Sequence, residues 1–523
     1  MPAAPSQTLL IRNATPVLRD GVGVATPIDV MIEDGVIRRI EPVGGALASA
    51  RADRVVLATD RFILPGFVNA HYHSYDTLHK GRFEDLPFDL WALMAQPGPW
   101  GPRSSEELRL RTLVGAMEAI ASGITTVQDM HSVVPQTQST LDTILDAYDE
   151  IGIRCVFSVA ARDLPALDSA AWLPEDCPPS LMALAKPVPL DPAEEIAFIA
   201  DQLDGRHAHR PRLTWAITPS GPQRCSPTML RGLADMADRA GLPVLTHAYE
   251  TLAQLGRARS YRADGCGSLL DRLDDAGLLN HTLTLAHGVY LDDADIDRLA
   301  QVGAGVVCNP LANLKLKNGV APIARFQAAG VRLALGCDNC SCSDCQDMFQ
   351  AMKATTLLAQ ASDPMPTGFT ARDALVAATQ GGAAALGLDG GGAAAHPKVG
   401  KIAAGYAADL VLLNRADTAF LPANDVVRQT VFSATVRTVR TVIIAGEVVF
   451  DDGLFTRIDA ARVRAELAAL QPSLDAGFAA LQARQAPLFA ALLAAQSTVA
   501  GLFADDQRTV PGRPIRRSTD KSG

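Results

Sequence analysis

The feature that most limits the fold of this chain is an alternation of short apolar runs with helical stretches between residues 65 and 398. Eight apolar runs have strand length, and five stretches between them have helical periodicity. The predicted strands are 63–71, 124–129, 154–160, 213–218, 243–247, 282–287, 304–309 and 332–338, and the predicted helices include 105–122, 140–151, 192–203, 227–240 and 292–302. Eight such units predict an α/β fold, a (β/α)₈ barrel whose active site lies at the carboxyl ends of the strands.

Both ends of the chain contain β-rich segments that do not belong to this alternation. Residues 8–12, 29–33 and 36–40 read as strands, with the turn Asp34-Gly35 forming a hairpin between the last two. Residues 409–413 and 438–447 have the same character. We therefore predict a small composite β-sandwich from residues 1–64 and 399–455, flanking a barrel of residues 65–398.

The C-terminal part of the chain is rich in Ala and Leu between residues 460 and 502. It is expected to form helices within residues 456–504, divided at Pro472 and Pro487 because proline interrupts a helix. Their apolar faces must pack on the barrel or on a second subunit, so a homo-oligomer is expected. The polar residues 505–523 are predicted to be a disordered tail.

Charge and hydropathy exclude several classes of protein. The formal net charge is −10, whereas binding to nucleic acid requires a basic face, and the one basic cluster lies in the terminal tail at 513–521. No apolar run reaches membrane-spanning length, and residues 1–7 lack the basic and apolar regions of a signal peptide. A cytoplasmic protein without a membrane or nucleic-acid partner is expected.

Chemically active side chains follow several of the predicted strands. His71 and His73 end the first strand, and residues i and i+2 of a strand point to the same side. Taken alone, this pair could be two polar residues at a strand terminus. The chain has only ten histidines, however, and further candidates stand at carboxyl ends: His247 with Glu250, then His287, then Asp338. Together they predict a metal-dependent catalytic site.

Four of the nine cysteines, Cys337, Cys340, Cys342 and Cys345, lie within one short segment. This density could hold a second zinc ion or an iron–sulfur cluster. The same segment contains Asp338, however, and thiolates folded around another metal would pull this carboxylate away from the strand ends. The alternative is four reduced thiols beside the site.

Taken with these ligand candidates, several other motifs resemble the amidohydrolase superfamily. The resemblance covers about residues 8–455 and includes Gly123-Ile124-Thr125-Thr126-Val127, Asn309-Pro310-Leu311-Ala312-Asn313-Leu314-Lys315-Leu316, Gly319-Val320-Ala321-Pro322, Asp347-Met348-Phe349 and Gly405-Tyr406-Ala407-Ala408-Asp409-Leu410. Within the superfamily, the chain is similar to the aminohydrolase branch, which holds adenosine-analogue, guanine and cytosine deaminases together with the triazine hydrolases.

This resemblance implies one divalent metal ion per chain, zinc or alternatively ferrous iron, held by His71, His73, His247 and Asp338. It implies that Glu250 is the general acid and base, and that His287 and Asp338 assist the attack of water. Binuclear relatives require a bridging modified lysine at the end of strand four. Residues 215–220 read Trp-Ala-Ile-Thr-Pro-Ser, without lysine, so a single ion is expected.

The substrate implied is a small nitrogen heterocycle such as a purine, pterin, pyrimidine or triazine. Side chains that could contact it follow strands one, two and four or lie in the Asn309 motif. The candidates for substrate binding are Asp76, Trp91, Trp100, His131, Gln223 and Asn313, with Tyr75, Phe83, Phe88 and Arg224 as further possibilities. Guanine is not favoured, because guanine deaminases usually have glutamine where this chain has Asp76.

The leading hypothesis is hydrolytic deamination. The alternative on the same site is hydrolysis of another C–N or C–Cl bond, which would release an alkylamine, chloride, or a cyclic amide or carbamate-type group. A scaffold without activity would be expected to have lost ligands that this chain retains. An iron–sulfur protein built on the cysteine segment would be brown.

Overall fold

A computed structural model of the chain describes residues 7–17, 26–263, 265, 267–362, 365–366, 368–391 and 396–504. The predicted tail, 505–523, lies outside the described residues. The strands are β1 Thr8–Pro16, β2 Ile28–Glu33, β3 Val36–Pro42, β4 Arg54–Leu57, β5 Arg61–Pro65, β6 Phe67–Tyr72, β7 Ile124–His131, β8 Arg154–Ala161, β9 Leu213–Trp215, β10 Thr218–Pro219, β11 Val244–Ala248, β12 Leu283–His287, β13 Gly305–Cys308, β14 Arg332–Leu335, β15 Leu410–Asn414, β16 Val439–Ile444, β17 Glu447–Asp451 and β18 Leu454–Phe455. The α-helices are α1 Phe88–Ala95, α2 Pro97–Trp100, α3 Ser105–Ala121, α4 Gln138–Ile151, α5 Pro179–Ala185, α6 Pro192–Leu203, α7 Pro227–Ala240, α8 Leu252–Ala263, α9 Leu269–Asp275, α10 Asp293–Val302, α11 Pro310–Lys315, α12 Ile323–Ala329, α13 Cys340–Ser343, α14 Met348–Ala361, α15 Ala371–Val376, α16 Gly382–Ala385, α17 Val426–Phe432 and α18 Ala460–Leu502.

The larger domain is the predicted barrel, built from β6 to β14, with β9 and β10 together in the place of one strand. Parallel pairing joins β6 to β10 in one group and β11 to β14 in another. A bridge between Ile217 and Val244 links the groups on one side, and Asp338 N donates to His71 O at 2.9 Å on the other. The fold class expected from the alternation is confirmed.

The first predicted strand, 63–71, is in fact two strands in different domains. β5 ends at Pro65 and pairs with β15, whereas β6 begins at Phe67 and pairs with β7. The chain changes sheets at Gly66, where a Cβ atom would lie 2.1 Å from Thr125 Oγ1, so only glycine fits. The first barrel strand is therefore short and ends directly at the histidine pair.

The smaller domain takes strands from both ends of the chain, as expected. The strand order is β18-β17-β16-β15-β5-β1-β2-β3, with β4 paired to β1. Strands from both ends of the chain contribute side chains to one buried apolar core. The predicted strand 438–447 is a hairpin, because Ala445 and Gly446 both adopt positive φ between β16 and β17.

A buried ion pair joins the two domains beneath the barrel. Arg154 of β8 donates to Asp409 at 2.7 and 3.0 Å, and both side chains are almost completely buried. Asp409 also accepts a hydrogen bond from Ala445 N at 2.7 Å. The carboxylate is thus satisfied only while the barrel strand and the β-domain stay together.

The C-terminal segment is one helix rather than the predicted series. Helix α18 runs through Pro472 and Pro487 for 43 residues. A proline removes one backbone hydrogen bond, but contacts with α1, α3 and α8 hold the helix against the barrel and offset that loss. Among the described residues it is also the one helix long and apolar enough to cross a membrane. Length and composition alone are weak evidence for a membrane span, because the core helix of a soluble protein passes the same test.

Candidate active site

The structure brings five predicted side chains together at the carboxyl end of the barrel. His73 Nε2 lies 3.3 Å from His247 Nε2. The Asp338 carboxylate lies 3.6 Å from His71 Nε2, 3.5 Å from His73 Nε2 and 3.7 Å from His287 Nε2. Two overlapping groups of ligand atoms, each within 4.8 Å, could hold a metal ion: His71, His73 and His247, and His71, His287 and Asp338.

Hydrogen bonds outside this centre determine which ring nitrogens face inward. His73 Nδ1 donates to Met130 O at 2.6 Å, and His247 Nδ1 donates to Ser220 O at 2.8 Å. A carbonyl only accepts, so each proton sits on Nδ1 and each Nε2 presents a lone pair. Two lone pairs face each other at 3.3 Å, an arrangement that a cation between them would stabilise.

His71 supports the same conclusion. Its side chain is fully buried, and neither ring nitrogen has a hydrogen-bond partner among the described residues. Burial and neighbouring imidazoles lower the pKa of His71 well below its usual value, and burial lowers the pKa of His73 to about 4. Neutral imidazoles are the form that binds metal, so the donor set fits a divalent ion such as zinc or iron.

Two residues of the centre have unfavourable backbone conformations. His287 has φ 74° and Asp338 has φ 60°, values that side-chain-bearing residues rarely adopt. Strain of this kind persists where surrounding structure enforces it, and it clusters at functional sites. His287 is the last residue of β12, and Asp338 lies three residues beyond the end of β14.

Glu250 lies beside the centre in a buried position. Its Oε1 accepts from Asn318 Nδ2 at 3.0 Å and lies 3.7 Å from His287 Nε2. Its backbone N donates to Gln254 Oε1 at 2.9 Å, while Oε2 has no partner among the described residues. Burial raises the pKa of Glu250 to about 8, although the Arg224 guanidinium acts in the opposite direction. The geometry leaves one carboxyl oxygen fixed and the other free to exchange a proton.

His287 is oriented by a residue predicted to bind substrate. His287 Nδ1 and Asn313 Oδ1 are 2.8 Å apart, so the amide oxygen accepts the imidazole proton and Nε2 faces Asp338 and Glu250. Asn313 thus positions a histidine, and its expected contact with the substrate stays a prediction.

Trp91 is the one member of the substrate-binding set that lines the cleft, together with Tyr75, Phe88 and Arg224 from the wider set. The other four substrate contacts stay predictions, and their side chains have other partners in this structure. Asp76 accepts from Cys340 N and Ser341 N, both at 3.1 Å, and so caps α13. Trp100 donates to Met94 O and stacks on His79 away from the site.

His131 and Gln223 also lie behind the wall of the cleft. His131 stacks on Phe157, with ring centroids 6.0 Å apart. Gln223 faces Asp168, with Nε2 3.4 Å from a carboxylate oxygen. Phe83, from the wider set, packs on Phe478 of α18. His131 is the last residue of β7, whereas Gln223 lies in the short 3-10 helix Pro222–Arg224 after β10.

Several cleft residues were not predicted from the sequence. Gln96, Ser132, Arg162 and Asn339 line the cleft, and Asn318 holds Glu250. For Asn318 a signal existed, since it directly precedes the motif Gly319-Val320-Ala321-Pro322. The other four lie on loops without a recognisable pattern.

The cysteine segment does not gather its thiols around a common centre. The two candidate metal groups among the described residues contain none of Cys337, Cys340, Cys342 and Cys345. Burial raises the pKa of all four thiols, which favours the protonated form over the metal-binding thiolate.

We expect replacement of Cys340, Cys342 and Cys345 by serine to leave bound metal unchanged, because the change removes no ligand of the strand-end centre. Metal analysis of the triple variant beside the unmodified protein measures this. Loss of one metal equivalent, with the His71 centre still filled, would show that the thiols bind a second ion.

Fold and site together define a barrel hydrolase with a metal-binding centre at the strand ends. Residues 62–449 match the model of the amidohydrolase family. The chain belongs to this family, as the sequence motifs led us to expect, and is therefore a hydrolase that acts on carbon–nitrogen bonds.

Curated relatives refine this assignment. The chain is 30% identical over 459 residues to a 5-methylthioadenosine/S-adenosylhomocysteine deaminase of Carboxydothermus hydrogenoformans, covering 88% of this chain and 96% of the relative. It is 33% identical over 425 residues to a 5'-deoxyadenosine deaminase of Methanothermobacter thermautotrophicus, covering 81% and 89%. A crystal structure of an adenosine deaminase from Xanthomonas campestris with bound zinc superimposes with a TM-score of 0.76 at 27% identity, covering 90% of this chain and 98% of that one. The expected kinship with deaminases is confirmed.

Proposed function

We propose that this enzyme hydrolytically deaminates a nitrogen heterocycle, and that its substrates are 6-aminopurine nucleosides of the adenosine type. The relatives named above support the substrate class. The observation that carries the reaction is the buried carboxyl of Glu250 beside His287 and Asp338, at the edge of a centre of neutral imidazoles.

We further propose that one divalent ion, zinc rather than iron, is held by His71, His73, His247 and Asp338. Such an ion supplies a nucleophile at neutral pH by lowering the pKa of a bound water to about 7. The inward lone pairs of His73 and His247 and the unpartnered nitrogens of His71 support this ligand set.

The chain's own residues then carry out the proton transfers. In its ionised form, Glu250 accepts a proton at Oε2 from the attacking water and delivers it to the ring nitrogen next to the amino-bearing carbon. Asn318 keeps Oε1 in place during this transfer. His287, oriented by Asn313, and Asp338 hold the attacking water on the opposite side and pass its second proton to the departing amine. The products are the oxo heterocycle and ammonia.

The purified protein is expected to contain about one zinc ion per chain, because the strand ends bring together one set of inward-facing ligand atoms. Residues 215–220 also contain no lysine that could bridge a second ion. Elemental analysis of the protein after gel filtration measures the ratio. Two tightly bound ions per chain would contradict the mononuclear proposal.

The substrate class is tested by measuring ammonia release from adenosine and 5'-deoxyadenosine against cytosine, an aminopterin-type ring and an aminotriazine. The proposal is supported if the two nucleosides release ammonia with a higher kcat/KM than the other three compounds. Release of chloride or alkylamine from a triazine, without ammonia from any nucleoside, would instead support hydrolysis of another bond on the same site.

Other expectations stay predictions. Homo-oligomer formation, a cytoplasmic location and the absence of membrane or nucleic-acid partners rest on composition and on the apolar faces of α18. Sedimentation analysis and cell fractionation measure the first two directly.

A further inference from the structure

We propose that helix α18 and the loop that follows β8 form an outer cavity that binds a bulky apolar substituent of the substrate. This inference rests on the proposed function and specifies which nucleosides the site prefers. The outer cavity is defined here as the space between α1, residues 162–167, residues 184–190 and α18.

The outer cavity continues directly from the catalytic cleft. Gln96 and Arg162 line both spaces. The free volume of the cleft is about 20 Å³, which is room for little more than a water molecule. The outer cavity offers about 380 Å³, which is within the range of small-molecule sites. The preformed space next to the cleft therefore lies on the side of Arg162.

The walls of the outer cavity are mostly apolar, with Asp163 and Gln485 among the polar residues that line it. Leu93 and Ala92 of α1, Leu164 and Leu167 of the loop, and Leu488 of α18 face it. At its mouth, Leu184, Val188 and Leu190 are 58%, 85% and 61% exposed, a concentration of large apolar side chains in one short segment. Covering such a surface with an apolar ligand group contributes roughly 25 cal/mol per Å² buried. An alkyl or aryl group is the chemistry that fits these walls.

Two polar groups stand at the junction of the two spaces. Arg162 Nη1 donates to Ser132 Oγ at 3.2 Å. The side-chain amide of Gln96 makes no hydrogen bond within the described part of the chain. Both are available to an acceptor atom of the ligand, such as a sugar oxygen, placed between the ring and its substituent.

Helix α18 contributes a wall that lies outside the family match, which ends at residue 449. Leu488 is buried, and Gln485 lies one turn earlier on the same face. Contacts at both ends fix this wall, since Ser169 donates to Gln496 and Arg484 donates to Pro99 O. The family fold therefore supplies the chemistry, and the C-terminal helix supplies the shape of the outer cavity.

The test compares two substrates in three proteins. The substrates are adenosine and its analogue with a benzylthio group at the 5' position. In the unmodified protein, we expect kcat/KM for the analogue to be at least that for adenosine. Leu488→Trp fills the outer cavity from α18, and we expect it to lower the ratio of the two kcat/KM values at least about tenfold, the scale of discrimination by an apolar pocket.

The matched control is Leu493→Trp, which places the same side chain on an exposed position of α18, where Leu493 is 48% exposed. It should keep the ratio of the unmodified protein. If Leu488→Trp does not fold, Leu184→Trp narrows the cavity from the exposed opposite wall and should lower the ratio in the same direction.

An unchanged ratio in the folded cavity variants would overturn the inference. A change in oligomeric mass without a change in ratio would also overturn it, because the cavity would then be a subunit contact. Failure of the unmodified protein to release ammonia from either nucleoside would count against the proposed function itself, whereas deamination of adenosine alone would count only against the outer cavity.

Discussion

Glu250→Gln is expected to lower turnover by at least about 10² while metal content stays normal. Glutamine keeps the length of the side chain and can still accept the Asn318 hydrogen bond through its amide oxygen. The backbone bond from residue 250 to Gln254 is also retained. What the amide cannot do is exchange a proton at the position of Oε2. The effect should therefore appear in kcat, with ammonia release and metal analysis as the paired measurements.

Glu447→Gln is the matched control, because Glu447 lies on β17 in the β-domain, far from the strand-end centre. Its turnover should equal that of the unmodified protein. Nearly unchanged turnover in Glu250→Gln would mean that another group moves the proton, and the role assigned from the family resemblance would be wrong at its centre.

Arg154→Met is expected to destabilise the folded chain by about 3–5 kcal/mol, the usual cost of leaving a buried charge without its partner. Methionine fills much of the same space but leaves the Asp409 carboxylate buried with only the Ala445 N–H as donor. Since this pair joins the barrel to the β-domain, the midpoint of denaturant unfolding should fall clearly.

Arg440→Met provides the comparison for this change. Arg440 forms an ion pair with Asp452 at 3.3 Å, with the two side chains 43% and 57% exposed, and such surface pairs contribute about 0–1 kcal/mol. Equal midpoints for Arg154→Met and Arg440→Met would show that the buried pair does not hold the domains together.

Much of the catalytic centre could be predicted because strands impose a simple rule. Alternate residues of a strand point to the same side, and parallel strands of a barrel end at the same face. His71, His73 and His247 follow directly from this rule, and the structure brings them together. The same rule placed Asp338 at the end of a predicted strand, although the structure ends β14 at Leu335 and holds Asp338 three residues further on with positive φ.

The walls of the cleft could not be predicted in the same way, because loops lack a fixed period. Asp76 lies three residues after His73, but the turn Ser74–His79 directs its carboxylate to the backbone of α13. Asn313 belongs to a recognised motif, yet its contact with His287 depends on how α11 packs. In helix α18 the sequence pattern was clear but misleading. Its two prolines predict breaks in the helix, whereas packing against the barrel keeps the helix continuous.

The central claim is tested most directly by titrating metal-free protein with zinc while measuring ammonia release from 5'-deoxyadenosine. We predict no release without metal and full activity at about one zinc per chain, with a variant lacking the His73 imidazole, His73→Ala, staying inactive at that ratio. Deamination that persists in the metal-free protein, or that needs two ions per chain, would contradict the account.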